Sequence, residues 1–75
     1  MRPMLNIKKF QLLADALTNC SAFWLKKEKL EGEWIFWLMD GCGDPDGDYF
    51  ESLEDVEDYI CNNPEVEQYI LRRTA

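Results

Sequence analysis

The sequence predicts one two-layer α+β domain in the order helix, β-hairpin, helix, helix. Three observations predict it. Residues 7–17 carry apolar side chains at helical spacing. Residues 22–39 hold two β-favouring runs separated by a tight turn. Residues 53–70 return to helical spacing, with one break at Asn62-Asn63. A chain of 75 residues allows a single small domain, which buries only about 60% of its unfolded surface. With 47% hydrophobic and 13% aromatic residues it has the side chains for a core, which argues against disorder.

The first helix is expected from about Ile7 to Leu17. Ile7, Phe10, Leu13, Ala14 and Leu17 form one stripe, while Lys8, Lys9, Gln11 and Asp15 face water. Asn6 is placed to cap its start and Thr18-Asn19 to end it. A strand follows from Ala22 to about Lys27, then a turn at Leu30-Glu31-Gly32, then a second strand from Glu33 to Met39. The short connection makes the pair antiparallel. The second strand is apolar on both faces: Trp34, Phe36 and Leu38 point one way and Ile35, Trp37 and Met39 the other. A hairpin with one wet face alternates polar and apolar residues, so the second face needs a cover, either the C-terminal helices or another molecule.

The segment from Asp40 to Asp48 is a loop rich in Asp and Gly, with Pro45-Asp46-Gly47 as a turn. Tyr49 and Phe50 are candidates for a short third strand. Ser52 reads as an N-cap, with Asp55 completing a partial capping box. The helix from Leu53 to about Cys61 turns Leu53, Val56 and Ile60 inward. Asn63-Pro64 opens the last helix, whose stripe is Val66, Tyr69 and Ile70. Arg72 and Arg73 lie at its C-terminal end, where positive charge suits the helix dipole.

The net charge of −7 is unevenly spread. Residues 1–29 hold six basic and two acidic side chains, a net of +4. Residues 30–71 hold thirteen acidic side chains and no Lys or Arg, a net of −13. Arg72 and Arg73 add +2. A nucleic-acid binder shows a basic stripe instead, so direct binding to DNA or RNA is not expected, nor is adhesion to an anionic membrane. A basic partner, such as a nucleic-acid-binding protein, is favoured electrostatically. Solubility alone also accounts for an acidic surface.

Cys20, Cys42 and Cys61 are odd in number and show no CxxC spacing, unlike a disulfide-stapled secreted domain. Histidine is absent, which removes the usual Cys/His zinc patterns. Free thiols in a reducing, cytoplasmic setting are the simplest account. The polar residues Lys8, Lys9, Gln11 and Asp15 interrupt any apolar signal core near the N-terminus. No cofactor is expected.

Three features are candidates for function. Counting from Asp40, the Asp40–Glu51 loop places Asp44, Asp48 and Glu51 at positions five, nine and twelve of a calcium loop. Cys42, Pro45 and Gly47 break that pattern at positions three, six and eight, and a plain turn explains the composition as well. The second candidate is the acidic face of Glu51, Glu54, Asp55, Glu57 and Asp58. Glu54 and Asp58 are four apart, a like-charge pair that costs a few tenths of a kcal/mol. The third is the aromatic hairpin, in which Trp34 or Trp37 is the expected exposed anchor for a partner or for a second copy of the chain.

Catalysis has little to stand on. There is no His to act as base. Ser21 and Ser52 have no visible partner, Cys42 sits among carboxylates in a poor setting for a nucleophile, and Gly41 and Gly43 lie among Asp residues that repel phosphate. The favoured reading is a non-enzymatic interaction module, an adaptor or inhibitor. It would bind a basic partner through Trp34, Trp37, Glu51, Glu54, Asp55, Glu57 and Asp58. The alternative is a nucleic-acid-mimicking inhibitor, such as a phage anti-defence protein, whose carboxylates stand in for phosphates. A calcium-binding module using the Asp40–Glu51 loop is a second alternative.

Overall fold

In a computed structural model, which describes residues 5–74, the hairpin lies against three helices. The elements are α1 (Ile7–Cys20), β1 (Trp24–Leu30), β2 (Glu33–Met39), α2 (Leu53–Ile60) and α3 (Pro64–Thr74). This is the expected α+β order. The Cα extents of 34 × 31 × 16 Å suit two layers, one of strands and one of helices.

Local chemistry sets the ends of the elements. The Asn6 side chain accepts from the Lys9 backbone N–H at 3.1 Å, which caps α1. The helix runs to Cys20, past the expected stop at Thr18-Asn19. Ser21, in extended conformation, ends it by donating both its N–H and its hydroxyl to the Leu17 carbonyl. Ser52 caps α2 by accepting from Asp55 N, and Asn63 accepts from Glu65 N just before α3.

The hairpin is antiparallel, with Leu30 opposite Glu33 and Trp24 opposite Met39. Its first strand begins and ends later than Ala22–Lys27, because pairing is set by the turn rather than by the aromatic run. Glu31 (φ 52°) and Gly32 (φ 82°) form the two-residue loop. Positive φ at both positions is the requirement of a type I′ turn, whose twist matches that of the strands.

The core lies on one face of the hairpin. Leu25, Phe36 and Leu38 pack with Leu13, Ala16 and Leu17 of α1, Leu53, Val56 and Ile60 of α2, and Val66 and Ile70 of α3. Helix α1 touches β1, α2 and α3, so it is the element around which the others assemble. That position corrects its expected stripe. Ala16 is fully buried and Ile7 is 56% exposed, since a helix packed on several sides buries more than one row and its first turn projects past the core. Lys9, expected to face water, is half-buried and turned toward α2.

No third strand forms among the described residues. Residues 44–50 run back along the free edge of β2 and touch it at two isolated bridges, Phe36–Phe50 and Met39–Pro45. Three steps along β2 correspond to five along this segment, so the register slips between the bridges. Pro45 has no N–H to give, and Gly47 takes a positive φ of 85°, which bends the backbone out of the ladder.

Leu13 is completely buried at the centre of this core. Leu13→Ala is expected to lower stability by about 3 kcal/mol, against roughly 4–11 kcal/mol for a domain of this length. Glu31→Asn is expected to raise it by a few tenths of a kcal/mol, because Asn tolerates positive φ better than Glu. Urea denaturation followed by tryptophan fluorescence checks both.

Candidate functional site

The outer face of the hairpin is assembled by register. Trp24, Lys26 and Glu28 of β1 stand on the same side as Met39, Trp37 and Ile35 of β2. Ile35 and Met39 are only 5% and 6% exposed, yet they lie outside the main core cluster. Met39 is bridged by Pro45 of the acidic loop, and neither Ile35 nor Met39 joins the cluster formed with the C-terminal helices. The Trp24 indole N–H donates to the Asp40 carbonyl at 3.0 Å, and the Trp37 indole N–H donates to Glu28 Oε1 at 3.0 Å. The Tyr49 ring meets Trp37 edge-on, with centroids 5.5 Å apart and an interplanar angle of 66°. Both indole donors are satisfied, so what this face offers a partner is aromatic surface.

Tyr49 also borders a shallow depression with Asp48, Phe50, Glu51 and Asp55. The aromatic face and the acidic face therefore meet at one residue. Glu51, Asp55 and Asp58 are exposed and have no ion-pair partner among the described residues. Their spacing of four and three places them along one side of the start of α2.

Glu54 and Glu57 behave differently. Lys9 of α1 reaches both, at 3.0 and 3.2 Å, and so ties α1 to α2. The hydrogen bond from Lys9 is the main cause holding the Glu54 carboxyl below its ordinary value. Its counterpart raises the Lys9 ammonium: the Glu54 hydrogen bond acts most, partial burial opposes it, and Glu57 adds to the rise. This clamp offsets the like-charge cost expected along α2. It also divides the predicted acidic face, with Glu54 and Glu57 serving the fold and Glu51, Asp55 and Asp58 left free.

The structure separates the two predicted tryptophans. Trp37 lies on the outer face beside Tyr49. Trp34 lies on the inner face, packed against the core beneath Lys27 and Lys29. The most exposed indole is Trp24, at 40%, which sequence reasoning missed along with Tyr49. Strand alternation could have found Trp24, since a strand starting there faces it outward with Lys26 and Glu28 and turns Leu25 inward.

In the Asp-rich loop, Asp40 Oδ1 accepts the backbone N–H of Cys42 and of Asp44, so this carboxylate holds the loop's own backbone. No group of three or more Cys, Asp or Glu suited to a metal ion occurs among the described residues. All three cysteines are free thiols. Burial, followed by the charges of Glu57, Glu67 and Asp58, pushes the Cys61 thiol up, away from the thiolate form. No helix among the described residues is long and apolar enough to cross a membrane. Comparison with protein family models, curated proteins and solved structures finds no match to this chain.

The clamp has a defined pH window. The raised Lys9 pKa stabilises the fold fully below lysine's ordinary value of 10.5, and the gain is lost as pH climbs through the folded value. The lowered Glu54 pKa stabilises it above the ordinary value of 4.5, and that gain is lost as pH falls through the folded value. Lys9→Gln is therefore expected to lower the urea midpoint at neutral pH. The gap from wild type should close as the pH drops below 4.5.

Proposed function

We propose that this chain is a non-enzymatic interaction module, an adaptor or inhibitor, that binds a basic partner. Glu51, Asp55 and Asp58 supply the charge, and the Trp37–Tyr49 pair supplies the apolar anchor. One observation carries the reading: Tyr49 packs against Trp37 and also borders the depression that holds Glu51 and Asp55. An aromatic anchor beside unpaired carboxylates combines desolvated contact area with electrostatic complementarity. Glu54 and Glu57 support the same surface indirectly by fixing α2 against α1. Trp34 is left out of it because its ring is committed to the inner face.

Charge complementarity acts mainly on association rate and specificity. The triple variant Glu51→Gln, Asp55→Asn, Asp58→Asn is expected to keep its fold, since all three side chains are exposed. In affinity capture at low salt, wild type should retain a basic protein that the triple variant loses. With that protein purified, association should slow about tenfold in the variant and lose most of its salt dependence. Equal capture and equal salt dependence would defeat the proposal. Displacement of the captured partner by duplex DNA would assign the acidic surface to nucleic-acid mimicry instead.

A further inference from the structure

The two edges of the sheet differ. The β2 edge is occupied by the chain's own acidic segment, residues 44–50. The β1 edge is open: β2 is its only strand neighbour among the described residues, and every β1 residue except Leu25 is exposed. Among the backbone hydrogen bonds of the described residues, none joins β1 to a segment other than β2. Such an edge presents a row of N–H and C=O groups ready to pair.

Lysines line this edge on both faces. Lys27 and Lys29 share the inner face, with Lys27 Nζ 5.3 Å from the Phe10 centroid and Lys29 Nζ 4.9 Å from that of Trp34. Lys26 stands on the outer face. None of the three has a carboxylate in ion-pairing range among the described residues. Edge lysines commonly guard against edge-to-edge association, and here they oppose a second copy in parallel register, where Lys26, Lys27 and Lys29 each meet their own counterpart. The guard selects by charge, so an acidic strand is attracted where a basic one is repelled. Beyond Trp34 the inner face opens into a cleft of about 800 Å³ whose lining also holds Glu33, Glu51 and Glu54, so the attraction for an acidic side chain is confined to Lys27 and Lys29.

We propose that the free edge of β1 takes an extended segment of a partner protein with acidic residues two apart, paired to Lys27 and Lys29. Main-chain bonds along the edge supply affinity, and the two lysines on one face supply specificity at strand period. The other edge of the same sheet takes two isolated bridges from the segment 44–50 and no continuous strand. This site lies across the sheet from the surface around Tyr49 and stands or falls independently of it.

The test uses the full chain and the blocked peptide Ac-Glu-Val-Glu-Val-Glu-NH2 at low salt, read by amide chemical shifts and hydrogen exchange. The amides of residues 24–30 should shift and gain protection. Affinity should fall about tenfold in the Lys27→Gln, Lys29→Gln double variant. Binding should vanish for the peptide N-methylated at every residue and for its Lys-for-Glu counterpart. If the double variant unfolds, the N-methylated peptide still decides the outcome on wild type. Absence of β1 shifts, equal binding of the N-methylated peptide, or shifts confined to Trp37 and α2 would each overturn the proposal. So would β1 protection in a dimer formed without peptide, which would give the edge to a second copy.

Discussion

Strand β2 has to be covered twice. Ile35, Trp37 and Met39 alternate with Trp34, Phe36 and Leu38, and all six are large apolar side chains, so exposure of either whole face would be costly. Helix α1 packs on the inner face, and α2 and α3 contribute to the same core cluster. The chain after β2 turns back along the free edge of that strand and touches it at Met39 and Phe36. That path sets Tyr49 against Trp37 on the outer side. The outer side of the sheet therefore carries aromatic rings and a loop edge where the inner side carries helices.

That loop is acidic, and the helix after it more so, which raises the question of how α2 tolerates its charge. Three contributions answer it. Ser52 caps the first turn, and Glu54 and Asp55 sit there, where the dipole favours negative charge. Leu53, Val56 and Ile60 are buried, so packing rather than propensity holds the helix in place. Lys9 meets Glu54 and Glu57 together, placing one cation between the two acids nearest α1. The carboxylates left over are those turned away from α1, which is how a continuous acidic run in sequence becomes a divided surface in space.

The elements were legible in the sequence because each had a local cause. The cap at Asn6, the Glu31-Gly32 turn, the cap at Ser52 and the Asn63-Pro64 start act within a few residues of themselves. The inward residues of α2 were legible because that helix buries one face only. Helix α1 was less legible because it is packed on several sides, and periodicity cannot say that Ala16 is buried or that Ile7 lies beyond the core. The site was half legible. Charge counts exposed the acidic run and the two-sided strand exposed Trp37, but the Lys9 clamp joins residues 45 positions apart, and nothing local announces it. The separation of Trp34 from Trp37 was already implied by alternation, while the junction at Tyr49 depended on the path of the loop.

On the proposed reading, the outer aromatics combine two roles that usually conflict. A residue that covers apolar side chains must be held in place, and a residue that anchors a partner must be reachable. Trp37 would meet both conditions through its polar handle, and Trp24 is held in the same way. Each indole N–H is fixed to an oxygen of the same chain, Glu28 and Asp40 respectively, which orients the ring without burying it. A ring held this way loses little side-chain entropy when a partner arrives, and it brings no unsatisfied donor into an interface. Tyr49 completes the arrangement from the loop side: its edge-on contact meets Trp37, and it shares a depression with Phe50 and the carboxylates of Asp48, Glu51 and Asp55. The hairpin face therefore enters any association pre-ordered. The binding energy that a flexible aromatic patch would spend on ordering itself stays with the contact.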